Sequence, residues 1–399
     1  MIAEKLCKIL EKPVCDHCLG RQFAQLLHGY DNKERGRILR TVAAMFVDIT
    51  EYENRMYMSN FHAFRFHNIK NAAVKNKKCD VCGGIFRETE KWSERAVRKK
   101  PDFRTFLVGT KLSSELIRKE EEMWERVGID YCEPIKAEIN REAGKIIEKK
   151  GYAFDPKRPD VNLIIDVSKR KIKIEVNPIF IYGEYQKLVR GIPQTKWPSG
   201  KYKTSVEQII AKPFMKATSG SGHKLHGCGR EDINARCLGW RPFVLEILQP
   251  KKRAIDIKKT AKKIPGKVRV RNLRLSNIEE VRRIKEERRD KTYHAVVRCE
   301  HITRKDLKKL SVIKELRQRT PTRVSHRRAD LWRTRTVRHI KASYINKKTF
   351  VIEVRTEAGL YIKELISGDN GRTNPSISSV LGQPCTCKEL DVIRIHTKK

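Results

Sequence analysis

The chain has 399 residues with 39% hydrophobic and 34% charged side chains, enough for two or three packed domains under a densely charged surface. Its 88 Lys and Arg face 48 Asp and Glu, a net charge of +40 that points to a polyanionic partner, nucleic acid before any other. A charged surface of the heat-adapted kind raises both signs together, and no apolar run approaches the ~18 residues of a membrane span, so neither accounts for this chain.

The opening MIAEKLCKILEK is a short amphipathic helix without a signal-peptide core, and eleven cysteines without an export signal indicate a reducing cytoplasm. Zone one, residues 1–86, carries Cys15-Asp-His-Cys18 and Cys79-Asp-Val-Cys82. Two thiolates from each tight turn complete a tetrahedral four-sulfur shell, closed and therefore structural, for Zn²⁺. Two unrelated cysteine pairs are the competing reading, and a redox pair lacks its strand–helix setting. His17 is expected to support the site or face solvent, and the other seven cysteines are read as core or incidental thiols. A helix is expected at 33–47 with Ile38, Val42, Ala43 and Phe46 on one apolar face, followed by an irregular stretch at 52–78.

Zone two, residues 87–190, alternates helix and strand. Helices are predicted at 113–127 and 134–150, the second closed by Gly151, and a β-hairpin at 161–167 and 171–176, extended by an apolar strand at 179–183. A Pro- and Gly-rich linker, Gly191–Gly200, opens zone three, residues 191–399. There, strand-like runs at 242–248, 268–275, 293–298, 343–356 and 390–396 surround a basic helix at 278–289. Residues 251–350 hold 34 Lys and Arg against 10 Asp and Glu, so a quarter of the chain carries 24 of the 40 excess charges.

Within zone three a glycine-flexible loop, Gly227-Cys-Gly-Arg-Glu-Asp232-Ile-Asn-Ala-Arg236, presents two carboxylates among arginines ahead of an apolar strand. Alone, such an Asp is a surface ion pair more often than a functional group. The strings GREDINARCLG…RPFVLEI, KTYHAVV, QRTPTRVSHRRADLWRTRTV and AGLYIKELISGDNGRTNPSISSVLG resemble, in order, the archaeal-type tRNA pseudouridine synthase ten family. The opening CDHCLGRQFAQLLHGYDNKERGRILR and the linker IYGEYQKLVRGIPQTKWP resemble it too, so the likeness runs nearly the length of the chain.

The resemblance implies an α+β chain: the zinc module, a THUMP-like α/β RNA-binding domain in zone two, and a pseudouridine synthase mixed-sheet catalytic core in zone three. It implies an isomerase acting on tRNA, at uridines 54 and 55 of the TΨC arm, with structural Zn²⁺, no organic cofactor, no membrane and no evident protein partner. It places Asp232 as catalytic aspartate, Tyr293 against the uracil, Tyr361 and Lys363 in a third motif whose lysine pairs with the aspartate, and Leu381 in the cleft wall. Two departures bear on how the loop packs: Asn234 stands where the family has a second aspartate, and the loop before Arg241 is one residue short. Arg323, Arg327 and Arg328 are candidate RNA contacts, continued by Arg333, Arg335 and Arg338, in a run free of glutamate. The alternative is a non-catalytic zinc/THUMP RNA-binding protein, against which the joint presence of Asp232, Tyr293 and Lys363 counts. A THUMP-linked methyltransferase would need a glycine-rich cofactor loop between strand and helix, and Gly220–Gly229 lie in no such setting.

Overall fold

A computed structural model describes residues 2–49, 55–69, 75–98 and 102–396. The chain divides into two compact units at Asn177/Pro178.

The first unit opens with helices α1 (Ile2–Leu10), α2 (Asp16–Gly20), α3 (Asn32–Ile49) and α4 (Ile85–Arg98). Helices α2 and α3 touch through glycines: a Cβ on Gly36 would lie 1.9 Å from the Asp16 carbonyl oxygen, and one on Gly20 as close to that of Asn32. That contact sets which face of α3 is buried, and it is not the predicted one. Ile38, Val42 and Phe46 are exposed, whereas Gly36, Arg40, Ala43, Ala44 and Val47 are buried. Arg40 tolerates burial because Asp16 Oδ1 and the carbonyls of Val14 and Asn60 accept its hydrogen bonds at 2.7–3.0 Å. The part of the 52–78 stretch expected to be irregular that falls at 52–54 and 70–74 lies outside the described residues.

Next come β1 (Thr105–Lys111), α5 (Ser114–Val127), α6 (Ile135–Glu148), β2 (Ala153–Phe154), β3 (Val161–Asp166) and β4 (Lys171–Val176). Ser113 caps α5 by accepting from the Leu116 amide, and Gly151, the stop read from the sequence, follows α6 with φ +91°. The sheet runs β2-β1-β3-β4, with β1 parallel to both neighbours and β3/β4 the expected hairpin. Period-two burial along β1 and β3 puts Phe106, Val108, Leu163 and Ile165 against Ile135, Ile139 and Ile147 of α6. The same core continues to Leu10, Leu19 and the cysteine turns.

The second unit contains β5 (Ile179–Lys187), α7 (Val206–Thr218), β6 (Gly222–Gly227), β7 (Arg236–Leu248), α8 (Ile257–Ala261), β8 (Val268–Ser276), α9 (Ile278–Glu286) and β9 (Lys291–Arg298). It continues with α10 (Arg304–Lys308), β10 (Glu315–Arg319), β11 (Trp332–Asn346), β12 (Thr349–Thr356), α11 (Ile362–Ser367), β13 (Thr373–Asn374), α12 (Ile377–Leu381) and β14 (Thr386–Ile395). Strand β5, read from sequence as an extension of the hairpin, pairs instead between β7 and β8. The run at 343–356 is two strands, turned at Asn346–Thr349. The order is β13-β10-β11-β12-β9-β14-β7-β5-β8, with β6 also on β7. All pairs are antiparallel except β7/β14, joined only at Arg236–Cys237 and Asp391–Val392. That parallel seam divides the apolar cores: α7 packs on β5, β7 and β8, and α10, α11 and α12 pack on β9, β11, β12 and β14. The loop entering β7 at the seam is the one that carries Asp232. Among the described residues no helix is long and apolar enough to cross a membrane.

Candidate active site and cysteine centre

Consecutive residues of the 228–235 loop point opposite ways. Glu231 turns inward and is fully buried; both carboxylate oxygens accept from the Tyr185 hydroxyl, at 2.9 and 3.1 Å, and Arg241 Nε lies 3.0 Å away. Arg241, buried on β7, donates to the Cys228 carbonyl at 2.8 Å, and Gln194 donates to the Tyr185 hydroxyl and the Gly229 carbonyl. Lys187 is wholly buried and donates from Nζ to the carbonyls of Ile192 (3.0 Å), Asp232 (3.0 Å) and Ile233 (3.1 Å). Burial lowers the pKa of this amine, and the nearby Glu231 works against that fall. The loop is thus anchored beneath Asp232 by buried charge.

The Asp232 side chain projects the other way, to α11. Its Oδ2 stands 3.1 Å from Lys363 Nζ and 3.5 Å from Arg323 Nη1, and its Oδ1 accepts from the Asn234 amide at 3.2 Å. The departure at Asn234 therefore leaves a backbone donor on the carboxylate. Partial burial would raise the pKa of Asp232, but Lys363, the Asn234 amide and Arg323 outweigh it and hold the carboxyl below the usual carboxylate range. Arg323 also binds Glu364 (Nε to Oε1, 2.7 Å), and its guanidinium lies 5.8 Å from the Tyr361 ring centroid. Tyr361 is fixed by its backbone, donating to Gln318 Oε1 at 2.8 Å and accepting from Gln318 Nε2 at 3.1 Å.

Asp232, Lys363, Arg323 and Tyr361 therefore form one contact group. Tyr293 on β9, opposite Val354 and Val392, and Leu381 at the end of α12 pack half-buried against the core that carries Ala235 and Leu365. Burial pushes the Tyr293 hydroxyl up to about 12, so it stays a neutral donor at physiological pH. Arg323, expected on RNA phosphates, is held in the carboxylate cluster. Arg328 is exposed just after the 3-10 turn Thr322–Arg327, and the Arg327 side chain lies outside the described residues. Arg335 and Arg338 are paired with Glu357 and Asp290. Cys387, read as incidental, has its thiol pushed up to about 11, mainly by burial, and lies close enough to Lys363 and Asp232 to feel both charges. Sequence reasoning also passed over Lys187, and it noted Glu231 and Arg241 without their inward, anchoring role. Lys187 shares the buried period-two face of Ile179, Ile181 and Tyr185, a legible signal for a charge inside the fold.

In the first unit the sulfurs of Cys15, Cys18, Cys79 and Cys82 all lie within 4.8 Å of one another. Backbone amides turn toward them: Cys82 N–H donates to Cys79 Sγ at 3.5 Å and Gly84 N–H to Cys82 Sγ at 3.4 Å. The set fits a tetrahedral metal held by thiolates. His17 is no ligand: its ring stacks on Phe86 at 4.0 Å and its Nδ1 meets Glu138 at 2.8 Å. Arg21, fully buried beside Cys18, pairs with Glu120 at 2.5 Å, joining the knuckle to α5.

Residues 180–396 match the family model described as Pus10, C-terminal, and residues 92–166 that of the archaeal Pus10 THUMP domain. The tRNA pseudouridine synthase Pus10 of Pyrococcus furiosus is 40% identical over 99% of this chain and 98% of that protein. Its namesake in Methanocaldococcus jannaschii is 42% identical over 98% and 93%. A chain in the crystal structure of a Cbf5-Nop10-Gar1 complex is 18% identical with a TM-score of 0.32, covering 53% of this chain and about half (48%) of that one. With more than half of its residues under the C-terminal model and relatives of about 40% identity along nearly their whole length, this chain belongs to the Pus10 family of tRNA pseudouridine synthases.

Proposed function

We propose that this chain isomerises uridine to pseudouridine in tRNA, at positions 54 and 55 of the TΨC arm, with Asp232 as the catalytic carboxylate. The observation that carries the reading is the Asp232 carboxylate kept ionised between Lys363 and Arg323, on a loop whose Ala235 belongs to the same apolar core that half-buries Tyr293 and Leu381. The reaction breaks the N1–C1′ bond, turns the base and rejoins it through C5. It is balanced within the substrate and needs no redox partner. A carboxylate acts as nucleophile or as base on the sugar, and either role needs it charged and sheltered from water. Tyr293 stacks on the extruded uracil and offers its protonated hydroxyl for relay; Tyr361 and Leu381 complete the base pocket. Arg323 and Arg328 line the approach of the backbone, with Arg327 proposed beside them from the sequence alone, and Arg323 adds its charge to the field on Asp232. A non-catalytic clamp would gain nothing from an anion aimed at phosphates.

The four-cysteine centre holds Zn²⁺ as a structural metal, since a closed thiolate shell leaves no open position. The eleven cysteines are all unbridged, which supports a reducing cytoplasm. The functional partition is a zinc module at 1–86, the THUMP-like RNA-binding domain, and the catalytic domain. We draw the boundary of the last at Asn177/Pro178, rather than at 190, because β5 belongs to its sheet. The test is incubation with an unmodified tRNA transcript and carbodiimide mapping of pseudouridine. The wild type modifies uridines 54 and 55, and Asp232→Asn binds the transcript almost as well without modifying it, because affinity rests on dispersed phosphate contacts. Substantial turnover by Asp232→Asn refutes the assignment.

A further inference from the structure

Along β7, Arg241 faces the loop of Asp232, so its neighbour Trp240 faces the reverse side of the sheet. Likewise Arg355 of β12 alternates with Val354, which is buried in the core under α11. On that reverse side a groove of about 840 Å³ opens between the start of β9, the end of β14 and β8, lined by Trp240, Arg271, Arg288, Arg289, Arg355 and Arg394. Its volume is in the range of pockets that hold drug-sized ligands and far exceeds what one phosphate ion fills.

The charges of the groove do not balance. Glu184 holds Arg271 at 2.6 Å, and the Arg271 guanidinium in turn caps the Trp240 ring at 4.3 Å. Glu287 holds Arg289 at 2.9 Å, and Asp290 holds Arg355 at 3.2 Å while also receiving Arg338. Arg288 and Arg394 are exposed and have no carboxylate partner among the described residues. The Nε groups of Arg289 and Arg355 are buried without an acceptor. Guanidiniums crowded in a recess repel one another, and donors withdrawn from water without acceptors cost free energy. The repulsion is relieved by an anion with several oxygens in a row. Guanidinium forks match phosphate oxygens in a bidentate way that compact ammonium groups do not, and all the cations of this wall are arginines.

We propose that this groove binds RNA phosphodiesters as a second anchor, outside the catalytic cleft, for the body of a folded tRNA. The proposal rests on the tRNA reading above. Asp290, at the groove, precedes Tyr293 by three residues of extended chain, roughly 10 Å, so a nucleic acid passing the strand ends reaches both faces. The groove extends along the sheet surface, which fits a polymer backbone; a free nucleotide is the competing occupant.

The double variant Arg288→Ala/Arg394→Ala breaks no ion pair of the fold and touches no group near Asp232. With whole tRNA, the slope of log affinity against log salt falls by about two, one counterion equivalent per lost contact, while kcat at saturating tRNA is unchanged. With an isolated TΨC-arm hairpin, which lacks the tRNA body that the groove is proposed to anchor, wild type and variant have equal slopes. An unchanged slope with whole tRNA overturns the proposal, as does an equal drop with the hairpin. Binding of ATP to the wild type that the variant loses, with the tRNA slope intact, overturns it in favour of a nucleotide site. Pseudouridine mapping of the wild type in the same samples reports separately on the enzymatic reading.

Discussion

Replacing Lys363 by Met tests whether paired cations keep Asp232 working. At an effective dielectric of about 20, a unit charge 3.1 Å from Asp232 Oδ2 contributes about 5 kcal/mol of gross attraction, and the Arg323 charge at 3.5 Å nearly as much. The two are not equal in practice. Arg323 is 42% exposed and shared with Glu364, so solvent and a competing anion screen it, and Lys363 carries the larger share. Lys363 lowers the pKa of Asp232 and burial raises it, so removing Lys363 moves that pKa up. A rate that needs the ionised form falls as pH drops through this pKa. The acid limb of kcat/KM therefore shifts to higher pH in Lys363→Met. On the plateau, losing a charge-assisted hydrogen bond of about 1.5–3 kcal/mol predicts a fall of about ten- to a hundredfold. Lys363→Arg keeps the limb near its wild-type position, and adding Arg323→Ala to Lys363→Met moves it further up. The assay is pseudouridine formation on unmodified transcript against pH, with tRNA affinity measured alongside. Superimposable acid limbs for wild type and Lys363→Met refute the electrostatic account.

Lys187→Met strips three carbonyls and Glu231 of a buried cation; at about 3–5 kcal/mol for such a removal, the melting temperature falls by about 6–20 °C. In the surviving folded fraction kcat drops with KM nearly constant, because the Asp232 backbone loses its anchor while RNA contacts remain; an unchanged melting temperature shows that the lysine pins nothing. The purified protein carries one zinc per chain by metal analysis, and Cys15→Ser with Cys79→Ser abolishes it; zinc retained by that double variant sinks the four-sulfur site. Gly36→Ala forces a methyl group to within 1.9 Å of a backbone oxygen and costs at least about 1–3 kcal/mol, whereas Gly144→Ala in α6, with no atom within 4 Å, stabilises by about 0.5–1 kcal/mol. Equal melting shifts for the two glycine variants contradict the α2/α3 contact.

Local pattern carried the fold where one face of an element meets one environment. The α5 and α6 helices and the β3/β4 hairpin show period 3.6 or 2 with their own caps and turns, and they stand where the sequence places them. Helix α7 was missed although Val206, Ile210 and Phe214 have helical spacing, because Pro213 interrupts the pattern; the packed core beneath it overrides that penalty. The error on α3 has a related cause. Its buried face is chosen by close glycine contact and by arginines satisfied on carbonyls, neither of which raises hydrophobicity. Strand β5 was assigned to its sequence neighbours, but pairing partners across 60 residues are not written in any local period. At the site, Asp232, Lys363 and Tyr361 came from motif strings and meet in space, whereas the inward charges of Glu231 and Arg241 read from sequence as ordinary polar positions and that of Lys187 shows only in the period of β5.

Those inward charges explain why two carboxylates stand side by side. Neighbouring side chains of an extended segment point opposite ways, so one of the pair turns into the protein whenever the other faces the cleft. An isolated carboxylate turned inward would be expensive, and Arg241, Lys187 and the Tyr185 hydroxyl offset that cost. The same lysine then holds the Asp232 carbonyl, so the anchored Glu231 and the outward Asp232 share one rigid support. The glycine freedom that this loop suggests in sequence is used at its entry, Gly229, whose φ of +78° lets the chain turn around Arg241. A chain with forty excess positive charges thus spends two of its buried cations on immobilising the carboxylate loop, and that immobility keeps Asp232 between Lys363 and Arg323 while phosphates approach from outside.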